Sequence, residues 1–343
     1  MADNEVTRNK FNLLVGPSYY AYQTGDVVEF PSMNDIKKAS YGSIEEAFIM
    51  QKINRSDFFI ALGVQTLVNC NIDHLAAWLA WFKKIYPDKL IAVEEKGLKS
   101  RLEVLVKEGV LRLFYCQDLD RVKLSKKSKF YSVTEKGALA IREALDGEDL
   151  GGYNSWFGIK PAHVMLRRLD VTNCIAAFTK SRTLYKIDCH SRNVDKNGNG
   201  SMDIYGSLTF FRTVREEGKD VQQLVKVYIE PVHFSFDPQI RSLQEIEADT
   251  KRRIESLIRK REYVLGNTKG TKYDDVKIVL IFDSKEAFSF ASTYIGAAHP
   301  ALVPSIILTS ESLIYNGDKL ADKFVCITKE GLCSPTDWIF EEE

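Results

Sequence analysis

The sequence predicts an α+β chain, in which a mainly helical N-terminal half with one β-hairpin precedes an α/β half with a mixed sheet. Apolar residues recur at helical spacing as far as residue 109, and two short aromatic and β-branched runs follow. A glycine-rich polar stretch, 145–158, then separates the halves. Beyond it, three consecutive strand-like runs lie between helical segments and precede a strand–helix–strand run. This order is typical of a mixed sheet covered by helices.

The charge balance excludes a general affinity for polyanions. The chain has 343 residues, and its 47 Lys and Arg residues are matched by 47 Asp and Glu residues. At roughly 150 residues per domain, this length suggests two domains. Because the formal net charge is zero, any attraction to nucleic acid or anionic lipid must come from a local patch.

Other segments predict a cytoplasmic chain that needs no cofactor and has no membrane partner. The N-terminus has no apolar core of a signal peptide, and the apolar stretches are shorter than the roughly 20 residues of a membrane span. No phosphate-binding loop or nucleophile elbow is present. The six cysteines form no zinc spacing, so we interpret them as thiols in a reducing compartment. They lie at positions 70, 116, 174, 189, 326 and 333.

Three helices are predicted after an N-terminal arm, 1–42, to which we assign no role. Ser43 and Glu46 form a capping-box pattern, so a helix is expected to begin there. Asp73 is the expected cap of the next helix, which ends at Pro87. In the third helix, Leu98, Leu102 and Leu105 make one apolar stripe. Gly109 is the expected C-terminal end of that helix.

A β-hairpin with a basic tip follows the third helix. The runs "LRLFYC", 111–116, and "KFYSVT", 129–134, predict two strands, and Thr134 caps a further helix. Between them, positions 121–129 carry five basic residues and no acid. Such a loop is either a solvated hairpin tip or a phosphate-binding element.

The order of helices, strands and basic loop over 43–148 resembles a winged helix. The phrase "LKSRLEVLVKEGVLRLFYC…KFYSVTEKGALAIREAL" carries the resemblance. It implies that the third helix enters the major groove of duplex DNA and that the wing contacts phosphates. Winged helices also bind proteins, and four glutamates on that helix would repel phosphate, so a protein-interaction module stays an alternative. The residues predicted to contact DNA are Lys96, Lys99, Ser100, Arg101, Arg121, Lys123, Lys126, Lys127 and Lys129.

The C-terminal half, 159–343, has an αβββαβ order that resembles the core of restriction-endonuclease-like domains. In that resemblance, a metal is held by an acid on the second strand and by an acid-x-Lys motif on the third. The candidate acids are Asp203 and Glu230, but Val232 stands where the lysine should be. We therefore predict a nuclease-like scaffold without catalysis, with a metal-dependent nuclease that uses Asp203 and Glu230 as the alternative.

A possible calcium loop lies at "DKNGNGSMD", 195–203. Asp195, Asn197, Asn199 and Asp203 match liganding positions of an EF-hand. Gly206 replaces the bidentate glutamate that closes such a loop, and the flanks are strand-like. We interpret the segment as a hairpin turn with weak candidate cation ligands.

Together, the two halves resemble the replication-relaxation family of plasmids and integrative elements. The matching segments are 98–145, "SMDIYGSLTFF…LVKVYIEPV" and "VKIVLIFDSKEAF…IILTSESL". The resemblance implies a non-enzymatic accessory protein that binds double-stranded DNA near an origin of plasmid or mobile-element replication or transfer. Its α/β half would support a homodimer or contacts with replication or transfer proteins.

Overall fold

The structure, a computed structural model, describes residues 28–29, 41–89, 95–116, 129–145, 162–188, 192–194, 201–203, 206–232, 242–267, 273–329 and 331–342. They belong to two compact units, an N-terminal unit within Thr24–Thr172 and a C-terminal unit within Asn173–Glu343. Helices and strands occur in both units, which confirms the predicted combination of helix and mixed sheet. Among the described helices, none is both long and apolar enough to cross a membrane.

The N-terminal unit places helices before and after a β-hairpin. Strands β2 and β3 are antiparallel, and the short strand β1 pairs with the other edge of β2. In chain order its described elements are β1 (Val28–Glu29), α1 (Tyr41–Ile49), α2 (Arg55–Leu67), α3 (Ile72–Ile85), α4 (Glu95–Lys107), β2 (Leu111–Cys116), β3 (Lys129–Val133) and α5 (Glu135–Ala144).

Asparagine side chains cap α2 and α3, and in α3 the cap is Asn71 and not the predicted acid Asp73. Asn54 accepts a hydrogen bond from the backbone N–H of Asp57, whose carboxylate accepts one from the N–H of Asn54. Asn71 caps α3 in the same way with His74, so Asp73 lies inside the first turn. The side chains of Asn and Asp both accept hydrogen bonds from the unpaired backbone N–H groups at the start of a helix. The sequence pattern therefore does not distinguish Asn71 from Asp73 as the cap. The predicted cap Thr134 is confirmed.

The apolar stripe of α4 forms part of the core of the N-terminal unit. Leu98, Leu102 and Leu105 are each at most 1% exposed, as the spacing predicts. After the helix ends at Lys107, Gly109 has a φ of 78°, a left-handed conformation that glycine adopts without steric cost.

The C-terminal unit contains a seven-stranded sheet with helices along it. Helix α6 (Ala162–Phe178) leads into it, and the division between the units falls inside this helix. The elements that follow are β4 (Leu184–Asp188), β5 (Arg192–Val194), β6 (Ser201–Asp203), β7 (Gly206–Glu216), β8 (Lys219–Val232), α7 (Leu243–Asn267), β9 (Asp275–Phe282), α8 (Lys285–Ala298), β10 (Ile306–Ser310), α9 (Glu311–Asn316), β11 (Val325–Thr328) and β12 (Gly331–Cys333).

The sheet is mixed, with the order β12-β11-β10-β9-β8-β7-β4. Strand β7 runs antiparallel to both β4 and β8, whereas β8, β9 and β10 are parallel to one another. The predicted strands are present, and the hairpin turn between β7 and β8 falls at Glu217 and Gly218. Strands β11 and β12 extend the sheet beyond the prediction.

Residue alternation gives the sheet two different faces. On one face, Ile278 and Leu280 of β9 pack with Ile254 and Leu257 of α7 in a continuous apolar cluster. On the other face, four phenylalanine rings contact one another: Phe178, Phe210, Phe324 and Phe340.

Candidate functional site

The face of α4 opposite its leucines is open to a ligand. Lys99 and Ser100, both predicted to contact DNA, are exposed. Glu103 and Lys107 are exposed as well. The helix therefore presents two cations, a hydroxyl and a carboxylate on its solvent side.

Arg101 is held by the protein itself. Its Nε donates to Asp57 Oδ1 at 2.7 Å, and its Nη2 donates to Asp57 Oδ2 and, at 2.9 Å, to the carbonyl oxygen of Lys52. The Asp57 side chain is 0% exposed, and its hydrogen bond raises the pKa of Arg101. These contacts tie α4 to α2, so we remove Arg101 from the predicted DNA interface and assign it to the fold.

The other predicted DNA contacts lie at or beyond the edge of the described residues. Lys96 lies in α4 and Lys129 is the first residue of β3. The strands that carry the loop 117–128 are paired from Leu111 with Val133 to Tyr115 with Lys129. The described antiparallel ladder therefore extends as far as Tyr115 and Lys129. The predicted contact residues of the loop, outside the described residues, are Arg121, Lys123, Lys126 and Lys127.

The two candidate nuclease acids belong to different sheets. Glu230 lies on β8 of the seven-stranded sheet and is partly buried. Asp203 lies at the end of β6, which pairs with β5 in a separate two-stranded sheet of the described residues. Within the described residues, no group of three or more His, Cys, Asp and Glu side chains could hold a metal ion.

A buried lysine on the same strand as Glu230 was not anticipated from the sequence. Lys226 and Glu230 share one face of β8 because alternate residues of a strand do so. Lys226 Nζ lies 3.3 Å from Asp188 Oδ2 and 3.3 Å from Thr209 Oγ1, and its side chain is 8% exposed. Burial lowers the pKa of this lysine, and Asp188 partly opposes the shift.

Lys226, Asp188, Thr209 and Tyr273 form a group of side chains near the β4 edge of the sheet, here called the Lys226 cluster. The ammonium group of Lys226 can supply a cation, and the hydroxyl of Tyr273 can supply a proton donor. The ring of Tyr273 lies 5.9 Å from Lys226 Nζ, and burial raises the pKa of its hydroxyl. A search for an acid-x-Lys motif tests only the position two residues after the acid, so it misses a lysine four residues before it. The alternation of Lys226, Tyr228 and Glu230 along the strand is the signal that could have found it.

The candidate calcium ligands are flanked by strands. β5 and β6 pair antiparallel, with Val194 opposite Ser201 and Arg192 opposite Asp203. This pairing confirms the strand-like flanks and is typical of a hairpin, whereas an EF-hand loop joins two helices. Asp195, Asn197 and Asn199 lie outside the described residues.

Comparisons of the chain with protein families, with curated proteins and with solved structures find no match.

Proposed function

We propose that this protein binds duplex DNA through its N-terminal unit, as a winged helix does. In this proposal the loop 117–128 contacts phosphates and the exposed face of α4 enters the major groove. The C-terminal unit, with a restriction-endonuclease-like arrangement, supports a homodimer or contacts with replication or transfer proteins. The resemblance to the replication-relaxation family suggests action near an origin on a plasmid or other mobile element.

The observation that carries this proposal is the order and exposure of α4 and the hairpin that follows it. Helix α4 buries three leucines and leaves Lys99, Ser100 and Lys107 on its solvent side. Only three residues separate it from β2, and the β2–β3 ladder ends in the basic loop. An exposed helix face is thus followed directly by a strand pair whose connecting segment carries Arg121, Lys123, Lys126 and Lys127 in the sequence.

Charge balance makes this local arrangement the expected origin of DNA affinity. With a formal net charge of zero, the whole chain gives no long-range attraction to phosphate. Phosphate contacts by lysines release counterions, so the affinity of such a site depends on salt. Exposed Glu103 disfavours close approach of phosphate to the middle of α4. The wing is therefore expected to supply most of the salt-dependent affinity.

The test is the salt dependence of DNA binding by the full chain. Binding of a labelled mixed-sequence duplex is measured by fluorescence anisotropy across a salt series, for the wild type and for Lys126→Ala/Lys127→Ala. Each lost phosphate contact makes the negative slope of log K against log salt shallower by about 0.9, so the slope of the double variant is expected to be shallower by about 1.8.

Lys180→Ala/Lys319→Ala is the matched control, because it removes the same charge from two exposed positions of the C-terminal unit. This control should keep the wild-type slope. An unchanged slope in Lys126→Ala/Lys127→Ala removes the wing from the proposal. If the duplex shows no change in anisotropy with wild-type protein at low salt, DNA binding is excluded and the alternative of a protein-interaction module is favoured.

A metal-dependent nuclease is the second candidate function, and the Lys226 cluster is the observation that favours it. Nuclease chemistry needs carboxylates for a metal and a lysine that polarises the attacking water. Lys226 lies on the same face of β8 as Glu230, although its ammonium group is paired with Asp188.

Incubation of supercoiled plasmid with the protein and Mg²⁺ or Mn²⁺ tests this second candidate. Nicking that is lost in Asp203→Ala and in Glu230→Gln would establish it and overturn the non-enzymatic proposal. Intact plasmid after prolonged incubation with either metal ion would exclude it.

A further inference from the structure

A cavity of about 510 Å³ lies at the outer strands of the C-terminal unit. Its volume is within the range of small-molecule sites, roughly 300–1,000 Å³. Strands β10, β11 and β12 line it together with the turn Pro300–Ser305 and the segment that follows β12. Two thiols, of Cys326 and Cys333, contribute to its wall, which is otherwise mainly apolar: Pro300, Val303, Ile307, Ile327, Pro335 and Phe340.

The two cysteines are direct neighbours across an antiparallel strand pair. Cys326 of β11 is the register partner of Cys333 of β12. Directly opposed residues in such a pair have Cα atoms about 4.5 or 5.5 Å apart. Disulfides span Cα separations of about 4.4–6.8 Å, so either kind of pair is within range. Both cysteines are free thiols and partly exposed.

The charged groups around the thiols do not favour thiolates. Lys277 Nζ contacts Asp337 Oδ2 at 2.9 Å, Asp275 Oδ2 at 3.2 Å and the carbonyl oxygen of Pro304 at 3.1 Å, so its three protons are used. Burial raises the pKa of Cys326 to about 12, an effect to which Cys333 and Asp337 add and which Lys277 opposes. The Cys326 thiol is therefore uncharged at neutral pH, and its conversion to a disulfide places no charge in this wall.

We propose that Cys326 and Cys333 form a reversible dithiol–disulfide pair that is oxidised by a low-molecular-weight disulfide entering the cavity. One cysteine loses its proton and attacks a sulfur of the small disulfide, and the thiolate that is displaced takes up a proton and leaves as the first thiol. The second cysteine then attacks the sulfur of the mixed disulfide, forms the protein disulfide and releases the second thiol. The small disulfide is reduced to two thiols, and the two cysteines lose their hydrogens.

The position of the strands indicates which cysteine reacts first. Cys333 lies on β12, the edge strand of the sheet, whereas Cys326 lies on β11 between β10 and β12. An edge strand leaves one side open to an incoming molecule, so Cys333 is the first nucleophile and Cys326 resolves the mixed disulfide. The product ties the three-residue strand β12 to β11, its neighbour among the described strands.

The experiment uses the full chain with the substitutions Cys116→Ser and Cys189→Ser. The side chains of these two cysteines are not among those that the structure describes, and the substitutions remove their thiols from the assay. The protein is incubated with glutathione disulfide at neutral pH, free thiols are alkylated, and peptides are analysed by mass spectrometry. The expected product is a Cys326–Cys333 disulfide that dithiothreitol reverses. Cys70 and Cys174 serve as internal controls. Both are 0% exposed, so their thiols should become accessible to the alkylating reagent only after unfolding.

Single variants test the order of attack and keep the proposal falsifiable. Cys326→Ser is expected to accumulate a stable glutathione adduct on Cys333, because the resolving thiol is missing. Cys333→Ser is expected to gain several-fold less adduct on Cys326. If both cysteines of the parent protein remain as free thiols or as separate glutathione adducts, the dithiol pair is excluded. Greater adduct formation in Cys333→Ser than in Cys326→Ser would overturn the order of attack.

Discussion

At the residue scale, Asp57 performs two structural tasks at once. Its carboxylate completes the capping box of α2 and also accepts the guanidinium of Arg101 from α4. A fully buried carboxylate is stable only with such partners, because an unpaired charge without water is costly. Arg101, which the sequence predicts to contact DNA, is therefore needed beside Asp57 for the stability of the fold.

Replacing Arg101 by alanine should destabilise the protein without changing how it binds DNA. The change leaves Asp57 buried without its cation, and we expect a loss of about 3 kcal/mol in the free energy of unfolding. Urea denaturation of the full chain measures this loss. The salt slope of DNA binding, measured at a temperature where the variant is folded, should equal that of the wild type. A shallower slope with unchanged stability would return Arg101 to the interface.

The Lys226–Asp188 pair predicts an asymmetric response to substitution. Asp188→Ala leaves a buried ammonium group without its carboxylate, so we expect a destabilisation of about 2 kcal/mol. Lys226→Met removes the buried charge and keeps an unbranched side chain of similar length, so the free energy of unfolding is expected to change little. Both free energies come from urea denaturation. Equal losses for the two variants would mean that the ion pair itself, and not the desolvated lysine, determines stability.

At the element scale, the start of α5 is joined to the end of α4 by a close backbone contact. Thr134 Oγ1 accepts from the N–H of Gly137 at 2.8 Å and donates to the carbonyl oxygen of Gly109 at 2.7 Å. A Cβ atom on Gly137 would lie 2.1 Å from the carbonyl oxygen of Val110. The junction that fixes the hairpin against its helices therefore admits only glycine.

Gly137→Ala should disrupt this junction. Because the obstructing atoms belong to the backbone, we expect a destabilisation of about 3 kcal/mol, at the upper end of overpacking effects. Gly97→Ala is the matched control in α4, where an added Cβ meets nothing within 4 Å. Its expected effect is a stabilisation of up to about 1 kcal/mol from helix propensity. Thermal unfolding of both variants is the measurement, and similar melting temperatures would contradict the prediction.

At the scale of the whole molecule, acid should destabilise the protein through two carboxylates of α7. Burial opposes ionisation of Asp249, but hydrogen bonds from Arg252 and Arg253 outweigh it and lower its pKa. Hydrogen bonds from Tyr294 and His299 lower the pKa of Glu255. Glu255 of α7 contacts Tyr294 of α8 and His299, the residue that directly follows α8.

The sign of this effect follows from linkage. Unfolded carboxylates titrate at about pH 3.9 for Asp and about 4.3 for Glu, and both folded pKa values lie lower. Their stabilisation is therefore fully present above about pH 5 and is lost as the pH falls through the folded values. Urea denaturation between pH 7 and pH 3 should show this loss. Glu255→Gln keeps hydrogen-bonding atoms but cannot titrate in this range, so its stability should fall less steeply below about pH 5.

Local patterns in the sequence were sufficient for much of the fold. The leucine spacing of α4, the cap at Thr134, the glycine after α4 and the strand-forming runs all act over a few residues, so they can be recognised without tertiary contacts. The mixed sheet followed from the order of strands and helices. The amino-acid sequence alone determined which segment is basic and that the formal net charge of the chain is zero.

Contacts between distant residues were decided only by the tertiary structure. The partners Asp57 and Arg101 are 44 residues apart, and Asp188 and Lys226 are 38 residues apart. The pairing of Cys326 with Cys333 required the register of two strands that the sequence did not predict. A charged side chain in the sequence has no partner until the fold supplies one. The same arginine can therefore be assigned to DNA from the sequence and to a buried carboxylate in the structure, because burial and long-range pairing are properties of the folded chain.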